Sequence, residues 1–189
     1  FSCKTPSILV TEEQRTGDEL SNQYDYEKAI VHYKSSLAAS RQLGVYRNLE
    51  VEADICRKIS YAFSAQGKYP EALEYAHYGL SRDSMLQNQL GIIEDYREIG
   101  KAHLYMGDFK QGIAFLDSVV SLSEGLESSI KSTKLTSLAD SYLTLSQVNS
   151  VLGRYSEAET ECNSALEIYE QLHNETGQME CFLQLGKIS

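Results

Sequence analysis

One short phrase returns four times along this chain. It reads Gln23-Tyr24-Asp25-Tyr26-Glu27-Lys28-Ala29, then Gly67-Lys68-Tyr69-Pro70-Glu71-Ala72, then Gly107-Asp108-Phe109-Lys110-Gln111-Gly112, then Gly153-Arg154-Tyr155-Ser156-Glu157-Ala158. Each time an aromatic residue is followed three places later by Ala or Gly, and the aromatics lie 43, 40 and 46 residues apart. A period of this size marks stacked supersecondary units, and it directs attention to an extended recognition surface and away from a single catalytic core.

The phrase also sets a register. Seven residues before each turn glycine, or before Tyr24 in the first unit, stand Gly17, Ser60, Gly100 and Ser146, and Gly186 takes the same role near the end. One residue before these come Thr16, Ile59, Ile99, Leu145 and Leu185. Four before come Glu13, Cys56, Tyr96, Tyr142 and Phe182, and three after come Leu20, Phe63, His103 and Asn149. Steps of three and four are the signature of one helix face. After each turn a second helical pattern runs, as in Tyr69, Ala72, Leu73, Ala76 and Leu80, or Tyr155, Ala158, Cys162, Ala165, Leu166 and Tyr169.

The pattern predicts first helices near residues 10–23, 47–66, 88–106, 130–152 and 175–189, and second helices near 26–43, 69–86, 109–123 and 155–173. Residues 1–8 read as an irregular lead-in. With two prolines and 12 glycines in 189 residues, helix breakers are rare, and a 42% hydrophobic content suffices for a core. The serine-rich stretch from Ser118 through Ser121, Ser123, Ser128, Ser129 and Ser132 to Thr133 reads as a helix end, a loop and a lengthened helix start.

These residues together resemble the tetratricopeptide repeat family over nearly the whole length. The match is carried by Ser60, Gly67, Tyr69 and Ala72 in one unit and by Gly100, Gly107, Phe109 and Gly112 in another. The resemblance implies an all-α fold, a right-handed superhelical solenoid of antiparallel helix pairs. Residues 9–189 would form the array, with four complete pairs and the first helix of a fifth. An uncovered half-unit leads to the expectation that the natural protein continues past Ser189, and that the open end offers a surface for self-association. The units exceed the usual length of about 34 residues, and the proline that ends many such units is missing. Longer units look like those of G-protein-signalling modulator scaffolds, bacterial peptide-sensing regulators and MalT-like transcription regulators.

In that family the first helix of each unit lines a concave groove. Carried over by register, the groove positions are Gln14 and Asp18; Asp54, Arg57 and Tyr61; Glu94, Arg97 and Lys101; and Asp140, Leu143 and Gln147. Arg57, Arg97 and Lys101 would share one surface, suited to an extended peptide with an acidic group or a free C-terminus. The opposing reading pairs these bases with Asp54, Glu94 and Asp140 along a solvated face. Replacing the three bases together is expected to abolish capture without unfolding. The asparagines of the family's chaperone-binding carboxylate clamp are absent from these positions.

A net charge of −10 and a pI of about 4.9 argue against general nucleic-acid binding and against an anionic membrane surface. Glu157, Glu159, Glu161, Glu167 and Glu170 read as a solvated outer face, with attraction of a basic partner as the alternative. No stretch is apolar enough for a membrane span. Phe1-Ser2-Cys3 resembles the end of a bacterial lipoprotein signal without its hydrophobic run, and an ordinary chain boundary explains it equally, so compartment stays open between cytoplasmic and bacterial extracytoplasmic. Cys56, Cys162 and Cys181 lie in apolar helical patterns and read as buried free thiols. His32, His77, His103 and His173 are isolated, with His103 in a core-like, hydrogen-bonded position, and no metal, phosphate-loop or nucleophile motif occurs. Asn174-Glu175-Thr176 is a lone glycosylation sequon. The expectation is a non-enzymatic module without cofactor that binds a protein or peptide segment, as a scaffold or sensor. The alternative is the regulatory domain of a sensor kinase or transcription regulator whose output domain lies elsewhere.

Overall fold

The computed structural model describes residues 5–44, 48–126 and 128–188, with only the backbone of 128–133. Cys3, and with it the lipoprotein resemblance, lies outside the described residues, as do the side chains of Ser128, Ser129, Ser132 and Thr133. Among the described residues there are nine helices and no strand. They are α1 (Pro6–Asn22), α2 (Tyr26–Gln42), α3 (Leu49–Ala65), α4 (Tyr69–Leu86), α5 (Gln89–Tyr105), α6 (Phe109–Glu124), α7 (Ser128–Val151), α8 (Tyr155–Gln171) and α9 (Glu175–Ile188). α1 starts at Pro6, earlier than the apolar pattern places it. A proline in the first turn costs nothing there, because its missing N–H would have no partner in any case.

The recurrent phrase closes four helix ends in the same way. Gly67, Gly107 and Gly153 take φ of 71°, 81° and 74°, and Tyr24 takes 62° in the glycine's place. Two backbone bonds then cap each helix: Gly67 N–H to Ser64 O at 2.9 Å and Lys68 N–H to Phe63 O at 3.0 Å, and likewise Tyr24 to Ser21 and Asp25 to Leu20, both at 2.9 Å. This paired closure satisfies carbonyls that would otherwise end the helix unpaired. The next helix begins at once, with Asp25 and Asp108 accepting from the N–H groups of Lys28 and Gln111. Such short connections turn the chain back on itself, so α1 packs on α2, α3 on α4 and α7 on α8.

The chain divides into two compact units, Phe1–Ala102 and His103–Ser189. In the first, Val10 of α1, Ile30, Tyr33 and Leu37 of α2, Ile55, Cys56, Ile59 and Phe63 of α3, and Ala72 of α4 form the core. Ile55 and Ile59 are fully buried, each contributing about 1.5–3 kcal/mol by removal from water. In the second, Ala139 and Leu143 of α7, Cys162, Ala165 and Tyr169 of α8, and Cys181 of α9 do the same.

Small residues sit at helix crossings, at Gly17 and Ser146 of the register and at Gly177 outside it. Gly17 faces the Tyr33 ring so closely that a Cβ would stand 2.5 Å from it, and Gly177 meets Tyr169 in the same way at 2.4 Å. Ser146 Oγ donates to the carbonyl of Ala158 at 2.6 Å, joining the small positions of α7 and α8. Gly186 differs: open space lies on its side-chain face. Asn174, the sequon asparagine, caps α9 by accepting from Gly177 N–H at 3.0 Å.

Candidate functional site

Within the first unit, one face of α1, α3 and α5 gathers most of the register-assigned groove residues. A cavity of about 280 Å³ opens there, lined by Arg57, Lys58, Tyr61, Glu94, Arg97 and Glu98 with Tyr33 and Ser21. Tyr61 is half exposed and meets Tyr26 edge-on, with ring centroids 6.0 Å apart. The Tyr61 hydrogen bond and burial both push the Tyr26 phenol up. Gln14 Nε2 donates to Asp54 Oδ2 at 2.7 Å, tying α1 to α3. Lys58 Nζ lies 2.8 Å from Asp18 and 3.3 Å from Asp54, and Tyr33 OH donates to Asp18 at 2.8 Å.

Arg57 is not paired with Asp54. Its Nη1 donates to Asp83 of α4 and lies 3.5 Å from Asp95 Oδ1 of α5, both acids being fully buried. Asp83 is held further by Asn88 Nδ2 at 2.7 Å. Gly91 makes room for Asp83 and Gly79 for Asp95, since a Cβ at either glycine would run into the carboxylate. Neither Asp95 oxygen has a hydrogen-bond partner. Burial pushes this carboxyl up to about 8; Arg57 opposes that rise and Asp83 adds to it. Burial works against the charge of Arg57, but Asp95 and Asp83 outweigh it and its pKa is raised. Arg57 thus stands against two buried acids, so its replacement bears on the fold as well as on any partner.

Arg97 behaves as the opposing sequence reading has it. Its Nη2 lies 2.9 Å from Glu94 and 3.2 Å from Glu98. Lys101 is half-buried and, among the described residues, has no acidic partner within salt-bridge distance. In the second unit Asp140 accepts from Tyr169 OH at 2.6 Å, and Gln147 is exposed. Leu143, assigned to the groove by register, is a core residue at 4% exposure, because α8 packs over that side of α7.

Several participants were not singled out from sequence. Lys58 follows Arg57 directly, and Asp83, Asp95 and Glu98 occupy apolar-face positions where a charge is out of place. That misplacement is the signal that could have found them, since a charge on a buried face requires a partner. Arg82 and Glu52 repeat the arrangement, with Nε 3.4 Å from Oε2 and Glu52 fully buried. His103 differs from its expected role: it is half-buried, stacks on Phe115 at 5.8 Å, and keeps Nδ1 3.4 Å from Asp108 without hydrogen-bond geometry. Cys56, Cys162 and Cys181 are buried free thiols, and burial pushes Cys56 and Cys181 up to about 12, so none is reactive by its environment. Among the described residues no cluster of potential metal ligands occurs, and no helix is long and apolar enough to cross a membrane.

Helix pairs closed by a left-handed turn residue, with close approach at small residues such as Gly17 and Ser146, define a fold of the tetratricopeptide type. No family model matches the chain. FLUORESCENT IN BLUE LIGHT, a chloroplastic protein of Arabidopsis thaliana, is 26% identical over 110 residues, covering 58% of this chain and 34% of that protein. The chain thus aligns with about a third of that relative's length. The solved TPR domain of Arabidopsis FLU is 24% identical with a TM-score of 0.59, over 63% of this chain and 98% of that one. The apo quorum sensor NprR of B. thuringiensis gives a TM-score of 0.81 at 13% identity, over 97% of this chain and 49% of that one. A Rap protein complexed with Competence and Sporulation Factor gives 0.78 at 19% identity, over 99% of this chain and 50% of that one. Likeness at these identities defines the fold.

Proposed function

We propose that this chain is a protein-interaction module that holds an extended partner segment against the α1–α3–α5 face of its first unit. The observation that carries the reading is the convergence of Gln14, Asp18, Asp54, Arg57, Tyr61, Glu94 and Arg97 on one surface around a cavity. An extended segment exposes its own backbone and side chains, and a surface of fixed, alternating charges and an aromatic rim can read them. The hydrogen bonds between these side chains hold them in place before any partner arrives, which reduces the entropy lost on binding. Asp140 and Gln147 fall in the second unit and join the reading as a second contact region. The reading assigns no catalysis and no cofactor.

A regulatory role within a longer protein is the companion reading. It is favoured by the likeness to NprR and Rap, each of which this chain covers only by half. Selection of random extended peptides on the purified chain tests the interaction. Enriched peptides should lose affinity for a Tyr61→Ala, Lys101→Ala variant and keep it for an outer-face Glu167→Ala variant. Equal affinity for all three proteins would discard the α1–α3–α5 face.

A further inference from the structure

Resting on the interaction reading above, we infer that the α1–α3–α5 surface takes a basic segment, with a Lys or Arg side chain of the partner set against Asp18 and Asp54 at the edge of the cavity that Tyr61 lines. This reverses the acidic ligand that the three bases suggest when read from sequence. Each cation of the cavity is already bracketed by two carboxylates of this chain. Lys58 stands between Asp18 and Asp54, Arg57 between Asp83 and Asp95, and Arg97 between Glu94 and Glu98. An incoming anion would have to displace one of these partners and leave it close by, unpaired and partly buried, which costs more than the new contact gains.

Exposure points the same way. Asp18 and Asp54 side chains are 40% and 43% exposed, whereas Arg57, Lys58 and Arg97 are 21%, 29% and 20%. A ligand approaching from solvent therefore meets Asp18 and Asp54 first, while Glu94 and Glu98, at 22% and 9%, are no more open than Lys58. At the edge of the cavity Asp18 and Asp54 flank the single ammonium of Lys58, two carboxylates to one cation. Tyr61 supplies a half-exposed aromatic face at the rim, oriented by Tyr26, and such a face attracts a guanidinium or ammonium group. The net charge of −10 adds long-range steering of a basic partner.

Three synthetic peptide pools of equal length, one basic, one acidic and one neutral, test the proposal by fluorescence anisotropy against the whole chain. The basic pool should bind at least about tenfold more tightly than the acidic one, a difference of about 1.4 kcal/mol. An Asp54→Asn, Glu94→Gln variant, checked by circular dichroism for intact helix, should lose most of that preference. A Glu157→Gln, Glu167→Gln variant, which changes the net charge equally on the outer face of α8, should retain it. Preference for the acidic pool, or none, overturns the charge assignment and leaves the interaction module standing. A basic preference that both variants lower equally reflects net charge alone and overturns the site. Binding of no pool removes the interaction reading itself.

Discussion

Arg57 of α3 reaches past its own helix to Asp95 of α5, its Nη1 3.5 Å from Oδ1, while it donates to Asp83 of α4. Three helices of the first unit thus share one buried ionic contact. Arg57→Met leaves Asp83 buried without its cation. A loss of about 3–5 kcal/mol is expected, or roughly 10 °C in Tm. Asp83→Asn added to that variant should recover part of the loss. Thermal unfolding of the three proteins measures it, and an Arg57→Met variant as stable as the parent would show that the contact contributes nothing.

Asp95 makes stability pH-dependent. Its folded pKa of about 8 lies above the ordinary carboxylate value, so between about pH 4 and 8 the folded state binds more protons than the unfolded one. Its neutral form is favoured by burial, and stability falls as pH rises through that window and is lowest above it. Arg57 and Asp83 are the charged groups that face it. Asp95→Asn should flatten the decline, with a Tm advantage of roughly 5 °C opening at pH 9 relative to pH 5. Parallel Tm curves for both proteins across that range would contradict the burial argument.

The close crossings give a graded set. Gly17→Ala and Gly177→Ala drive a methyl into the Tyr33 and Tyr169 rings, at a cost of about 1–3 kcal/mol each. Gly186→Ala meets open space within a helix, and should be neutral or stabilising by up to about 1 kcal/mol. Denaturant midpoints of the three variants rank them. A Gly186→Ala loss as large as the other two would refute the distinction.

Tyr24 holds a left-handed backbone that glycine holds in the other three turns. It is 80% exposed, so its ring contributes little beyond an edge contact with Tyr26. Tyr24→Gly should stabilise the chain by about 0.5–1 kcal/mol, the relief of the left-handed strain less the extra entropy of glycine. Gly107→Tyr should cost a similar amount. Urea unfolding of both variants checks the signs.

Much of the fold was legible because it rests on local chemistry. The turn phrase, the small residues seven places earlier and the apolar steps of three and four placed the helices to within a few residues, except at Pro6. Tyr24 could be assigned a turn position by register alone. That Gln14, Asp54, Arg57, Tyr61, Glu94 and Arg97 share a surface was legible too. What charge that surface presents was not. Register assigned Arg57 to a ligand or to Asp54, yet its partners come from α4 and α5. Leu143 was placed in the groove, yet α8 covers it. Helical period says which face a side chain occupies. It does not say what the neighbouring helix sets against that face, because pairings such as Arg57 with Asp83 depend on distances across helices that sequence spacing does not encode. The sequence by itself determined the helices and the turns, and the crossing at Gly17 but not the one at Gly177. Tertiary structure alone decided which charges cancel one another, and so what charge the surface presents to a partner.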